Sequence, residues 1–479
     1  PELEYTLPIH DDSISISYWI SWNPDLSAVC APGDASVYKA LEERTGIHVD
    51  YRESSPFNQG QDFDLMIASG DYVDIFPASS NLSPDQAFEQ DICIDLTGYM
   101  DTYLRNYHAI LKSNDEYMHT AVNDEGQILS VNSMYDENIA VNFGLVIRKD
   151  WLDELGLDVP ETYDELHDVL KAFKEKKGAD AALVLNYAAT GINNGLVQGY
   201  GINGLVADAA MSEPYYQVDD TVMYGPIQPE FKEYLTMVHD WYEEGLIWQD
   251  FMSFTDFQNP PTDVILADRT GVFYGEVTYI ATLEDASTTE GFELVAIPDF
   301  VQKSGDTIPF KEERAYAAST PWSISTQCEC PELLMQWCNY MYTDEGALLC
   351  NYGLEGESFE YDENHVPVFT DLVLNNPDMS TTVALFMYCL DRGPFYRDET
   401  REQSGYTQAQ KDASSIWQSN LSVGRGIGST ALNTEESSEV NQFYGDIKTY
   451  IEQSVLEFII GNRDLTEFDA FVDHIEGMG

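Results

Sequence analysis

The chain opens on a strand pattern. From Ile14 to Ile20 apolar and polar residues largely alternate, the period of two expected of a strand with one buried face. It runs into Ser21-Trp22-Asn23-Pro24, a loop that looks set to expose its tryptophan. Val37 to Thr45 then reads as a helix stopped at Gly46, and Ile47–Tyr51 as a second strand. Strand, helix and strand at this spacing form a βαβ unit, which requires a parallel sheet covered by helices. Gln61–Ala68 predicts the next helix and Tyr72–Phe76 the next strand, and Gly126–Val131 and Ile139–Ile147 continue the pattern.

Beyond Trp151 the period lengthens toward that of helices. Thr162-Tyr163-Asp164-Glu165 is a capping box, in which the Thr hydroxyl and the Glu carboxylate each serve a free backbone N–H. Leu166, Val169, Leu170 and Phe173 follow as the buried stripe of an amphipathic helix. Phe231–Glu244 gives another helix, stopped by Gly245, while Ala267–Tyr274 and Phe292–Ile297 return to strand character. The chain ends on a helix with Phe468, Phe471, Val472 and Ile475 on one face. No internal repeat or low-complexity linker interrupts this order. Two α/β lobes joined by several crossings fit it, and 479 residues exceed what one hydrophobic core usually supports.

Charge narrows the ligand. Subtracting 84 acidic from 23 basic residues gives a net −61, which repels nucleic acid and anionic lipid. An anionic substrate is disfavoured on the same ground, and a neutral one fits. Hydrophobic residues at 43% and charged residues at 22% are ordinary for a folded protein, so the charge does not signal disorder. No apolar run of about 18 residues is present to span a membrane.

Most enzyme signatures are missing. Gly199-Tyr200-Gly201-Ile202-Asn203-Gly204 matches G-x-G-x-x-G, but too few residues precede it for the strand a dinucleotide site needs, so a glycine-rich turn is favoured. Gly424–Gly428 lacks the Lys-Ser/Thr of a phosphate loop, and neither G-x-S-x-G nor H-E-x-x-H occurs. Cys328, Cys330, Cys338 and Cys350 cluster loosely without paired C-x-x-C spacing, so buried thiols are favoured over zinc. No cofactor is expected. A glycosidase needs only two carboxylates about 5–9.5 Å apart, which leaves a carbohydrate-active enzyme open as an alternative. Aromatics are the more informative signal at 13% of the chain. Several lie in loops rather than on periodic stripes: Trp19, Trp22, Phe57, Tyr135, Tyr274, Trp322, Tyr352, Tyr396 and Trp417. Sugar rings lay their C–H faces on flat aromatic rings, so a group of such residues suggests a carbohydrate cleft.

Several segments, in order, resemble the family 1 extracellular solute-binding proteins, the sugar-binding lipoproteins of ABC importers. Ala40–Ile47 resembles that family's first helix entering its second strand, and Leu65–Ile75, with Ala68-Ser69-Gly70-Asp71, its next helix and strand. Gly144–Leu157 and Val159–Leu166 are similar to the first crossover between lobes and the capped helix after it. Tyr352–Glu357 and Tyr361–Asn364 resemble a later turn and hairpin, and Phe458–Gly461 with Phe468–Phe471 the closing helix pair.

The resemblance implies a two-lobed periplasmic-binding-protein-like fold. Each lobe is a mainly parallel sheet flanked by helices, with the ligand cleft at a multi-strand hinge. Residues 1–140 and 300–345 form the N-terminal lobe, 141–299 and 346–479 the C-terminal lobe, and the hinge lies near Ile139–Asn142, Pro298–Phe300 and Thr343–Gly346. It implies a non-catalytic, monomeric subunit that captures a neutral oligosaccharide by hinge closure and delivers it to the transmembrane permease subunits. Its location is the cell surface or periplasm, and Pro1 lies just beyond an N-terminal lipid anchor. A same-fold binder of a peptide or other non-sugar ligand is a third possibility. Site residues carried over from the resemblance are Trp19, Trp22, Asn23, Phe57 and Asp74 in one lobe, and Tyr274 and Glu276 in the other. Tyr135, Trp322, Tyr352, Glu355, Arg397 and Trp417 complete the candidates.

Overall fold

The computed structural model describes residues 6–10, 14–22, 24–27, 29–54, 59–78, 82–135, 142–185, 196–202, 215–218, 221–254, 260–309, 320–398, 400–419 and 434–479. The chain divides into two compact units. Unit 1 comprises Pro1–Ile139, Ala315–Gly405 and Ala431–Thr434; unit 2 comprises Ala140–Arg314, Tyr406–Thr430 and Glu435–Gly479.

Unit 1 is built on a five-stranded sheet in which β1 (Ser15–Ser21), β2 (His48–Ser54), β3 (Ile75–Pro77), β4 (Val131–Asn132) and β12 (Pro321–Ile324) take the order β2-β1-β3-β12-β4. β1 pairs in parallel with β2, Ser15 opposite His48, and with β3, Tyr18 opposite Ile75. β12 runs antiparallel to β3 and β4. The helix Ser36–Thr45 joins β1 to β2 and ends on Gly46, whose φ of +67° is the left-handed cap that stops a helix. A second helix, Gln59–Ser69, leads to β3. The expected strand over 72–76 reaches the sheet only at Ile75, because Asp74 is tied sideways to β1. Of 126–131 only Val131 enters a strand.

Two short pairs complete unit 1: β5 (Met134–Tyr135) with β15 (Tyr396–Arg397), and β13 (Phe359–Tyr361) with β14 (Pro367–Phe369). They show where residues 346–405 belong. Leu349 and Cys350 pack in the same core as Ile16, Leu41 and Ile75, and Tyr396 pairs with Met134. That segment therefore falls in unit 1, not with 141–299 as the sequence boundaries have it. Thr343–Gly346 is likewise internal to unit 1: Thr343 Oγ1 accepts from Gly346 N at 3.0 Å and caps the helix Asp344–Tyr352. Ile297 and Phe300 both pack in the core of unit 2, so Pro298–Phe300 sits within it. Ile139–Val141 lie outside the described residues.

Unit 2 carries a four-stranded sheet of β6 (Phe143–Arg148), β7 (Leu183–Val184), β10 (Val272–Glu276) and β11 (Leu294–Ala296), in the order β11-β6-β10-β7. Only β10–β7 is parallel; β6 runs antiparallel to both neighbours, so this sheet is mixed rather than mainly parallel. A hairpin of β8 (Tyr215–Val218) and β9 (Thr221–Tyr224) stands apart from it. The expected strand over 267–274 begins only at Val272, because a short helix, Thr262–Leu266, is capped by Ala267 and followed by Asp268 in left-handed backbone at φ 56°. The capping box forms as read: Glu165 N donates to Thr162 Oγ1 at 3.3 Å, and Thr162 N to Glu165 Oε2 at 3.1 Å. Gly199–Gly201 lies in a single turn, Gln198–Tyr200, closed by Gly201 at φ 77°. A Cβ on Gly199 would stand 2.3 Å from the Phe300 carbonyl, so this glycine serves packing. Gly424–Gly428 lies outside the described residues.

Candidate functional site

In an α/β sheet, ligands bind beyond the carboxyl ends of the strands, where successive connections leave a strand in opposite directions. The order β2-β1-β3 sets that point at β1: one neighbour follows it directly in the chain, and the other lies on its far side. A cavity of about 260 Å³ opens there, lined by Tyr18 to Trp22 of β1 and its exit, Pro77 at the end of β3 and Ala78 after it, and Thr320 and Trp322 at the start of antiparallel β12. All its lining residues belong to unit 1.

Seven aromatic rings wall it: Tyr18, Trp19, Trp22, Tyr38, Phe63, Trp322 and Phe386. Alternation along β1 sends Tyr18 and Trp19 to opposite faces, into separate cores, and the cavity at the strand's end meets both. The rings fix one another. Tyr18 stacks on Trp322 with centroids 4.9 Å apart, while Trp19 meets Phe63, and Trp22 meets Tyr38, edge to face. Trp22 is buried rather than exposed as its loop composition suggests, because its Nε1 donates to the Cys30 carbonyl at 2.9 Å. The polar lining is sparse: Ser21, Thr320, Asp391 and Arg392.

The structure does not bring the other described candidates of unit 1 to this cavity. Asp74 accepts from both the backbone N and Oγ of Ser17 at 2.7 Å, while its own N–H donates to Ser17 Oγ at 2.9 Å, a closed ring that binds β3 to β1. Tyr352 is buried with its hydroxyl donating to Asp398 Oδ2 at 2.7 Å. Glu355 is exposed on the turn before β13. Tyr135 and Arg397 face each other across β5–β15, the guanidinium 5.7 Å from the ring centroid. Arg397 Nη1 also donates to the Asp391 carbonyl at 3.2 Å, so it shapes the cavity wall from behind. Asn23 and Phe57 lie outside the described residues.

In unit 2, Tyr274 and Glu276 share one face of β10 with Val272. Burial falls along that face from a fully enclosed Val272 to half-buried Tyr274 and Glu276. Phe143 of β6 lies opposite Glu276 and stacks on Tyr274, planes 18° apart. Burial raises the Glu276 carboxyl above the usual carboxylate range, against a hydrogen bond from Thr278 that lowers it. The ionised form therefore costs folded-state stability at neutral pH. Glu276→Gln is expected to raise the melting temperature at pH 7, a gain that shrinks on acidification and vanishes below the unfolded carboxyl pKa of about 4.3. Melting curves of both proteins across pH check this; a variant no more stable at pH 7 contradicts it. Trp417 is enclosed, its ring filling the space beside Gly144.

The residues that sequence reasoning missed are Tyr18, Tyr38, Phe63, Phe386, Thr320, Asp391 and Arg392. The first three sit on periodic stripes that read only as core. Asp391-Arg392-Gly393-Pro394 has turn composition, and that was its one signal. All seven cysteines are free, and burial pushes Cys93 up to about 12. Among the described residues no group of three or more His, Cys, Asp or Glu is placed to hold a metal ion, and no helix is long and apolar enough to cross a membrane.

Two α/β units, one with an aromatic-walled cavity at a strand switch point, define a ligand-binding protein of the two-domain solute-receptor class. The chain belongs to the bacterial extracellular solute-binding protein family, whose profile matches residues 31–348. It is 25% identical over 468 residues to Lipoprotein LipO of Bacillus subtilis (strain 168), covering 92% of this chain and 86% of the relative. The polygalacturonan/rhamnogalacturonan-binding protein YtcQ of the same organism is 22% identical over 481 residues, covering 96% of this chain and 88% of its own. Among solved structures, an HMO-binding, ABC-transporter-associated solute-binding protein from Bifidobacterium longum infantis ATCC 15697 superposes with a TM-score of 0.77 at 18% identity, covering 97% of this chain and 96% of its own. That likeness shows the fold.

Proposed function

We propose that the chain is the extracellular binding subunit of a bacterial ABC importer, capturing a neutral oligosaccharide for a membrane permease and catalysing nothing. The observation that carries this is the aromatic-walled cavity beyond the ends of β1 and β3. Rings that hold one another in place offer flat apolar faces at little entropic cost, which suits the C–H faces of a sugar ring. Among the described residues the lining is close to electroneutral, with one carboxylate and one guanidinium, and the whole chain carries a net −61. This supports a neutral ligand over a uronate chain such as polygalacturonan. Glycoside hydrolysis uses two carboxylates, and among the described residues the lining supplies one, Asp391.

Tyr274, Glu276 and Phe143 are proposed as a second sugar-contacting face, on unit 2. The working form is a monomer held at the cell surface by an N-terminal lipid. Detergent-phase partition and sedimentation of the natural protein check both.

Calorimetry and thermal shift across a panel of neutral oligosaccharides test the reading. At least one member should raise the melting temperature by mass action, with ligand at a hundredfold excess over Kd contributing about 2.7 kcal/mol. No response across the panel counts against carbohydrate. Reproducible turnover of a panel member at high protein concentration overturns the non-catalytic reading.

A further inference from the structure

Asp391 is, among the described residues, the one carboxylate lining the cavity of unit 1, and its side chain is 27% exposed. Among the described residues no donor hydrogen-bonds to it; Arg392 Nε stands 3.9 Å from Asp391 Oδ2. An ionised carboxylate offers about four lone-pair sites, so this one keeps its acceptor capacity for something else. Its place is nonetheless fixed, since Arg397 holds the Asp391 carbonyl. It also lies near the Tyr38 hydroxyl, which burial first, and the Asp391 charge second, drive far above the normal tyrosine range. Unspent acceptors in an aromatic enclosure mark a place where a polar ligand completes the hydrogen bonding.

The chemistry of that ligand follows from what surrounds the carboxylate. Aromatic rings with a lone carboxylate would draw a cation, but the Arg392 charge opposes it. An anion would be drawn to Arg392 and repelled by Asp391. A neutral ring bearing two adjacent hydroxyls suits both, the carboxylate accepting from the pair and the guanidinium donating to an oxygen beside it. A volume of about 260 Å³ is below the roughly 300–1,000 Å³ typical of sites for whole small molecules, so it fits one ring of a longer chain. We propose that Asp391, seconded by Arg392, is the hydroxyl clamp that decides which sugar ring the cavity accepts. This rests on the oligosaccharide reading above.

Calorimetry on the whole chain with the panel oligosaccharides tests the clamp. Asp391→Leu is expected to weaken binding of every responding sugar by about 10- to 100-fold, the loss of a charge-assisted hydrogen bond, with Asp391→Asn intermediate. Exposed Glu363→Gln should leave binding unchanged. A merely structural role is separated by deoxygenated sugars. Removing the clamped hydroxyls should weaken binding to the natural protein and make no difference to Asp391→Leu. Sugar binding that survives Asp391→Leu and Asp391→Asn undiminished overturns the clamp while leaving the oligosaccharide reading intact. Preferential binding of an amine-bearing ring, lost in the same variants, also overturns it in favour of a cation site. A natural protein that binds no sugar brings down the oligosaccharide reading, and the clamp with it.

Discussion

Replacing Arg148 by methionine is expected to lower the free energy of unfolding by about 3–5 kcal/mol at neutral pH. The side chain is completely buried at the end of β6. Its Nε and Nη2 bond both oxygens of Asp150, at 2.8 and 2.6 Å, and Nη1 bonds Asp268 Oδ1 at 2.6 Å. Two rings enclose the guanidinium, Trp151 at 4.5 Å and Phe292 at 4.1 Å from their centroids. Methionine fills much of the volume but leaves Asp150, only 11% exposed, as an uncompensated charge. Arg148→Lys keeps the charge but not the fork and should fall between. Denaturant unfolding of the three proteins at pH 7 checks this. A methionine variant within about 1 kcal/mol of the natural protein would show that the site relaxes to admit water.

The second large effect concerns Gly144, next on the same strand after Phe143. A Cβ there would stand 2.3 Å from both Cε2 and Nε1 of Trp417, whose ring is 2% exposed and has nowhere to move. Gly144→Ala is therefore expected to cost at least the upper part of the usual 1–3 kcal/mol of overpacking. Trp417→Ala alone should cost about 3–5 kcal/mol by leaving a cavity. The two should not add: with the indole gone the alanine methyl has room, so the double variant should be no less stable than Trp417→Ala. A double-mutant cycle measures this coupling directly. Additive losses would place the strain at Gly144 in the backbone rather than against the ring.

The two sites show what the sequence could convey. Trp417 and Trp322 look alike in the chain, each an aromatic without an obvious stripe, yet one fills the core of unit 2 and the other borders the cavity. Composition names a flat apolar side chain and leaves open which of its edges meets solvent. Asp74 is a candidate by family resemblance, but its Oδ2 is taken by Ser17, a partner 57 positions earlier that no local pattern reveals. By contrast, β1, its helix, β2 and the Thr162 capping box were legible because their determinants lie within a few residues: alternation, Gly46, and a Thr and Glu three apart. Strands β3, β4 and β12 have two to four residues, too short for any period to register. Asp391 and Arg392 are placed by a contact from Arg397 and by a loop closing over residues met at the start of the chain.

The position of β12 also bears on how unit 1 comes to exist. It lies between β3 and β4, so both strands have an unpaired edge until residues 321–324 arrive, long after Pro77 and Asn132 have been synthesised. The ribosome releases a half-sheet with a gap in its middle, and the apolar surface around Ile75 and Val131 must wait uncovered. Such late, distant pairing makes unit 1 slow to assemble and prone to aggregate while incomplete. A chain cut anywhere before Pro321 is left with that gap for good, so unit 1 cannot be obtained as a contiguous N-terminal fragment. A shortened version for expression has to retain both flanks or splice them together.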